Sequence, residues 1–153
     1  MSRRDQITLS DAEVSAFLEE QRTVICATNG SRGWPHLMPL WYVVSDGEIW
    51  AWTYGRSQKV RNLERDPRAT LQIEAGESYG QLRGVMIEAQ AEIHRDTDRV
   101  TEIGTALAER YGGAALDPAA RAALRAQAVK RIALRFVALR TASWDHRKLA
   151  GAY

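Results

Sequence analysis

Cysteine is almost missing from this chain of 153 residues, where Cys26 is the only thiol. One cysteine excludes an intrachain disulfide and any zinc site built on paired thiolates, and it fits a reducing compartment. Histidine is nearly as scarce: His36, His94 and His146 are the only three, at no spacing that gathers metal ligands, so no metal site is expected. No apolar run reaches the length of a membrane span, and the opening MSRRDQITLS lacks the hydrophobic segment of a secretory signal. The expectation is a cytoplasmic protein with no membrane partner. A net charge of +2 is too small to mark a nucleic-acid binder. Neither a G-x-G-x-x-G fingerprint nor a Walker loop occurs, and strands and helices do not alternate as a doubly wound sheet requires. There is no internal repeat or low-complexity linker. The length suits one domain, residues 1–153, able to bury a core.

What is present begins with an N-terminal helical region over residues 1–20. Its anchor is Ser10-Asp11-Ala12-Glu13, a capping box in which serine and glutamate each satisfy an orphan backbone amide. Strands are predicted at Thr23 to Thr28, Pro35 to Val44 and Glu48 to Thr53, separated by Asn29-Gly30 and Asp46-Gly47 turns, as an antiparallel meander. A helix from Ser57 to Arg65 stops at Asp66-Pro67. Strands return at Ala69 to Ala75 and Leu82 to His94, with Gly84 marking a bulge or a close backbone approach. A helix from Asp96 to Tyr111 closes on Gly112-Gly113, and Asp117-Pro118 opens another. The last strand is Ile132 to Thr141, and a tail covers residues 144–153. Six strands in hairpin order with peripheral helices predict a mainly β, α+β fold: a small antiparallel barrel.

One segment is chemically unusual. YGRSQKVRNLERDPRA, Tyr54 to Ala69, places five cations (Arg56, Lys59, Arg61, Arg65, Arg68) after an aromatic strand. Ser57 falls at the N-cap of the predicted helix, where unpaired amides and the positive end of the helix dipole favour a bound anion. Lys59 in the first turn adds a point charge, and Arg56 can fork onto phosphate oxygens. An anion seat and an ordinary cap are both open on this pattern, whereas Arg61 and Arg65 read as a solvated face. Upstream, PHLMPLWYVV alternates, with His36, Met38 and Leu40 on one side and Leu37, Pro39 and Trp41 on the other. Its two prolines remove ladder donors and predict an edge strand. Trp50 and Trp52 share one face, at least one of them in the core. Cys26, inside an apolar strand, reads as a buried inert thiol. His94, at a strand end beside Arg95, reads as solvated.

Three ordered blocks, GWPHLMPLWYVVSDGEIWAWT, SQKVRNLERDPRATL and YGQLRGVMIEAQAEI, resemble the pyridoxamine 5'-phosphate oxidase-like split-barrel proteins. More narrowly they resemble its flavin/deazaflavin oxidoreductase branch, many members of which use coenzyme F420. The S-x-K-x-x-N-L-x-x-D-P-R string is the most specific element. The resemblance implies a six-stranded split β-barrel that forms a homodimer and holds its cofactor, F420 or alternatively FMN, between subunits. It assigns Ser57 and Lys59 to the cofactor phosphate, with Arg56 nearby. His36, Leu37, Met38 and Pro39 would run along the ring system, and Thr53 and Tyr54 would lie beside the phosphate linker. Tyr79, Gln81 and Arg83 would approach across the dimer, and Trp144 from the tail.

On that reading the ring carries the hydride chemistry, and the protein binds and orients it. No residue is assigned as catalytic. An aromatic lining of Trp41, Trp52, Tyr54 and Tyr79 suits a planar conjugated acceptor. Unless SWDHRKL is its remnant, the chain lacks the long C-terminal arginine- and histidine-bearing segment of the true pyridoxamine phosphate oxidases, so a vitamin-B6 substrate is not expected. A second class, a non-catalytic flavin- or haem-binding protein of the same fold, stands beside the enzyme reading, with His36 and His146 as the histidines available to a haem iron.

Overall fold

The computed structural model describes residues 2–149; the last four residues of the predicted tail lie outside the described residues. Two short helices come first: α1 (Arg3–Ile7) and α2 (Asp11–Glu20). The latter has the expected capping box, with Ser10 accepting from the Glu13 amide and Glu13 accepting from the Ser10 amide. Strands β1 (Val24–Asn29), β2 (Pro35–Leu40), β3 (Val43–Ser45) and β4 (Glu48–Tyr54) follow, then α3 (Gln58–Arg65). β5 (Arg68–Ala75) and β6 (Arg83–His94) flank a 3-10 turn at Tyr79–Gln81. Helices α4 (Thr97–Gly112) and α5 (Pro118–Ala128) precede β7 (Arg131–Asp145) and a 3-10 turn at His146–Leu149. Asp96 and Asp117 cap α4 and α5, and Gly113 ends α4 with a φ of +76°, the left-handed conformation glycine adopts without penalty.

Among the described residues the strands form one antiparallel sheet in the order β2-β1-β5-β6-β7-β4-β3. Chain connectivity forces it to curl. Flat, the two edge strands would stand about 29 Å apart at about 4.8 Å per strand. Yet Leu40 and Val43 are joined by only three Cα steps, at most about 11 Å. The sheet therefore rolls into an open barrel whose seam lies at Trp41-Tyr42.

That link corrects the sequence reading, which carried one strand from Pro35 to Val44. The fold has seven strands, not six, and the predicted meander is broken because β2 pairs only with β1 while β3 pairs with β4. The cause is a pair of anchors. Tyr42 is fully buried and its hydroxyl donates to the Leu18 carbonyl at 2.6 Å, while Trp41 stacks on Tyr111 with ring centroids 4.3 Å apart. Each pulls the chain off the ladder. β2 is the edge strand its prolines predict.

The barrel interior holds Val24, Cys26, Leu71, Ile73, Val85, Ile87, Leu134 and Phe136. A second core lies outside β4, where Trp50, Val100, Ile103 and Leu107 pack beneath α4. Trp52 rests against the same helix, in space left by Gly104, where a Cβ would come within 2.5 Å of its ring. So the Trp50–Trp52 face is covered by α4 and does not serve as an open aromatic lining. Gly84 is a close-approach site: a Cβ there would meet the Trp144 ring at 2.3 Å and the Ile73 carbonyl at 2.8 Å. The bulge falls instead between Glu88 and Ala89, and opposite it Leu139 stands out, 67% exposed. Trp144 is not a free tail residue. β7 runs on to Asp145, and Trp144 pairs with Gly84.

Candidate functional site

α3 packs on the barrel through one stripe of its surface. Lys59, Val60, Asn62 and Leu63 are buried, at the i, i+1, i+3, i+4 spacing of a helix lying on a surface. Asn62 donates to Thr28 at 3.0 Å and Gln58 donates to Asn62 at 2.9 Å, locking the first turn to β1. At the N-cap, Ser57 makes no side-chain capping bond, unlike Ser2, Ser10, Asp96 and Asp117 at the other helices. Its Oγ is nonetheless buried without a hydrogen-bond partner. An idle hydroxyl beside the unpaired first amides of a helix is an anion-binding geometry.

The five cations of this stretch have different fates. Arg65 donates to the Asn29 carbonyl and Arg68 pairs with Asp66 at 2.7 Å, so both stitch the helix exit to the sheet. Asp66 is held far below the usual carboxylate range, chiefly by the Arg68 guanidinium and then by Asn29. Lys59 turns inward. It is 7% exposed and its Nζ donates to Thr53 Oγ1 at 3.0 Å, with no carboxylate partner among the described residues. Burial lowers its pKa below the ordinary 10.5. Arg56 and Arg61 remain, making no ion pair or side-chain hydrogen bond among the described residues.

Two cavities flank this turn. One of about 360 Å³ lies between the β1–β2 hairpin and α3, lined by Arg32, Trp34, His36, Gln58 and Asn62. His36 Nδ1 is buried there without a partner, and Trp34 is 75% exposed. The other, about 610 Å³, is lined by Tyr54, Arg56, Arg95, Lys130 and Arg131.

Thus His36, Thr53, Tyr54, Arg56, Ser57 and Lys59 share one end of the barrel, with Leu37, Met38 and Pro39 leading away along β2. The register has His36 and Met38 beside the inward residues Thr28 and Cys26, while Leu37 and Pro39 face outward beside Ala27 and Ile25. The other four predicted residues are at the opposite end. Arg83 begins β6 beside Ala75, whereas α3 adjoins the far end where Gln90 pairs with Arg68. Arg83 is bound to Glu20 and lies over the Phe17 ring. Tyr79 packs edge-on against His146, Gln81 completes the same turn, and Trp144 covers Gly84. Within one chain these do not reach α3. Sequence reasoning also missed Gln58, Asn62 and Arg131. Asn62 carried a signal, as a polar residue on the helix's apolar stripe; Arg131 carried none, because its proximity to Tyr54 follows from β4–β7 register.

The pyridoxamine 5'-phosphate oxidase family profile matches residues 10–146, nearly the whole chain. The chain belongs to the pyridoxamine 5'-phosphate oxidase family. Among solved structures, this family member is similar to a conserved hypothetical protein, Rv2991, of Mycobacterium tuberculosis. The two share 42% identity at a TM-score of 0.91, over 98% of this chain and 93% of that one. An F420 reductase superposes at a TM-score of 0.64 with 18% identity, over 84% of this chain and 94% of its own. A FAD-binding protein of Mesorhizobium loti does so at 0.67 with 19% identity, over 89% and 94%. At such identities these two establish the shared fold alone. No curated protein matches the sequence significantly. No helix among the described residues is long and apolar enough to cross a membrane.

Proposed function

We propose that this pyridoxamine 5'-phosphate oxidase family member is a coenzyme F420-dependent oxidoreductase that reduces a planar conjugated acceptor. The observation that carries the reading is the idle, buried Ser57 hydroxyl at the start of α3. A phosphate there would accept from Ser57 Oγ and from the first amides of the helix, within the field of Arg56, Arg61 and Lys59. The bound ring system would supply the hydride chemistry. The chain would do the rest. The exposed edge of β2, from His36 to Pro39, offers backbone groups to a heterocycle, and His36 Nδ1 is a free partner for a ring nitrogen or carbonyl. Trp34 and Tyr54, 75% and 58% exposed, can cover a flat guest. Among the described residues no acid–base pair lies beside them, so the acceptor would be activated by its own conjugation.

The homodimer is part of this proposal. β2 leaves an unpaired edge bearing Leu37 and Met38, 57% and 40% exposed. Beside it a shallow recess of about 420 Å³ runs across Ala27, Pro35, Ala89 and Leu139. Such an edge favours pairing with a second copy. That copy would bring its own Tyr79, Gln81, Arg83 and Trp144 to the first copy's α3.

The test is a visible spectrum of the purified protein, followed by titration with F420 and with FMN. Reduced F420 is then mixed with a panel of enones and quinones, and its reoxidation is followed at the cofactor's absorbance. Saturable F420 binding and acceptor-dependent reoxidation support the proposal. Co-purifying FMN that reacts with oxygen, with no F420 binding, overturns it in favour of an FMN protein.

A further inference from the structure

Among the described residues, nine of this protein's eighteen arginines form ion pairs with carboxylates. Arg68, Arg83, Arg99, Arg121, Arg125, Arg135, Arg140 and Arg147 all form ion pairs. The cavity of about 610 Å³ where β4 ends and β7 begins gathers several cations that do not. Arg56, Arg95, Lys130 and Arg131 converge on it, and among the described residues the only carboxylate paired with any of them is Glu64, on Arg95. The Gly55 amide donates to the Lys130 carbonyl at 3.1 Å, holding the two strand ends together. Arg95 Nη1 lies 3.9 Å from where a Cβ on Gly55 would stand, so it comes within contact of the same turn.

Arg131 is the organising group. Its guanidinium lies over the Trp52 ring at 4.4 Å and the Tyr54 ring at 4.2 Å, which fixes its plane and leaves its Nη groups as the recognition surface. Its Nε is buried with no acceptor. A buried guanidinium N–H without an acceptor is costly, and three cations without counter-ions add to that cost. An anion accepting from the outer N–H groups offsets the charge.

We infer that this cavity is a binding site for a multivalent oxyanion, an oligophosphate or oligocarboxylate carrying at least two negative charges. Arg131 grips it edge-on, and Arg56 and Lys130 neutralise its remaining charge. The site adjoins the α3 phosphate seat, shares Arg56 with it, and extends beyond it through Arg95, Lys130 and Arg131.

The experiment is calorimetric titration of the full-length protein at low salt with tripolyphosphate, citrate and acetate. Tripolyphosphate and citrate should bind saturably, one per chain, with affinity falling steeply as salt rises, while acetate should not bind. Arg131→Gln should weaken tripolyphosphate by about tenfold or more, the loss expected for one charged hydrogen bond. Lys130→Ala, which removes an exposed side chain and keeps the backbone bond to Gly55, should weaken it several-fold with unchanged thermal stability. Arg121→Gln, remote on α5, should leave it unchanged. Repeating the titration on protein saturated with F420 or FMN identifies the source of the natural anion. Competition assigns the cavity to the anionic portion of that cofactor, and simultaneous binding assigns it to a separate solute. Absence of saturable binding, or equal affinity in wild type, Arg131→Gln and Lys130→Ala, would overturn the inference.

Discussion

Replacing Lys59 with methionine should make the ligand-free protein more stable and its anion binding worse. Lys59 is 7% exposed, and its ammonium has a single neutral acceptor, Thr53 Oγ1, with two donors left over. Burying an ammonium under such conditions costs several kcal/mol, about 3 after relaxation. Methionine keeps most of the stem's packing and removes the charge. Against this, Thr53 loses its donor, at about 1 kcal/mol. The net gain is about 2 kcal/mol, or roughly 4–8 °C in Tm for a chain of this size. The sign of the pH dependence follows from the lowered pKa of Lys59. The unfolded state binds its proton more tightly, so wild-type stability rises as pH climbs from the folded pKa towards 10.5, and Lys59→Met should flatten that rise. Thermal scans of both proteins from pH 7 to pH 10, without ligand, are the assay. A variant less stable than wild type at pH 7 would refute the reasoning.

Other consequences are measurable with the same protein. Gly84→Ala, whose Cβ would sit 2.3 Å from the Trp144 ring and 2.8 Å from a backbone carbonyl, should cost about 3 kcal/mol by urea unfolding. Cys26, 1% exposed and with its thiol pushed up to about 12 by burial, should stay unmodified by a thiol reagent in the native state and react only as fast as the protein opens. Arg110 donates to the carbonyls of Leu18, Glu19, Gln21 and Tyr42, so Arg110→Ala should destabilise by about 3 kcal/mol in the same unfolding assay. Asp145 has its pKa depressed, first by hydrogen bonding to Arg147. Its contribution is therefore complete above its ordinary 3.8 and lost as pH falls below that, and Asp145→Asn should flatten the acid limb of the stability curve.

Much of the fold was legible because local signals and tertiary demands agree. The capping box at Ser10, the Asp117-Pro118 helix start, the Gly113 stop and the edge-strand prolines each act through their own neighbours in sequence. The break at Trp41-Tyr42 was not legible. Its cause is two long-range anchors, Tyr42 on the end of α2 and Trp41 on Tyr111, and the run PHLMPLWYVV alternates smoothly through it. Trp52 misled for a similar reason: periodicity gives its face, but not that α4 lies over that face. In the candidate site, the helix start at Ser57 could be read directly. The inward turn of Lys59 could not, since it follows from where Thr53 stands in the curled sheet. Arg131 needed the β4–β7 register.

The central claim is that the N-terminus of α3 seats a cofactor phosphate through Ser57, and the most direct measurement is paired titration of wild type and Ser57→Ala with F420 and FMN. Ser57 Oγ makes no hydrogen bond within the fold, so its removal should leave Tm unchanged. Loss of one hydrogen bond to a charged phosphate should raise the Kd for the preferred cofactor by about tenfold or more. Equal Kd values in the two proteins, or no binding of either cofactor to wild type, would contradict the account.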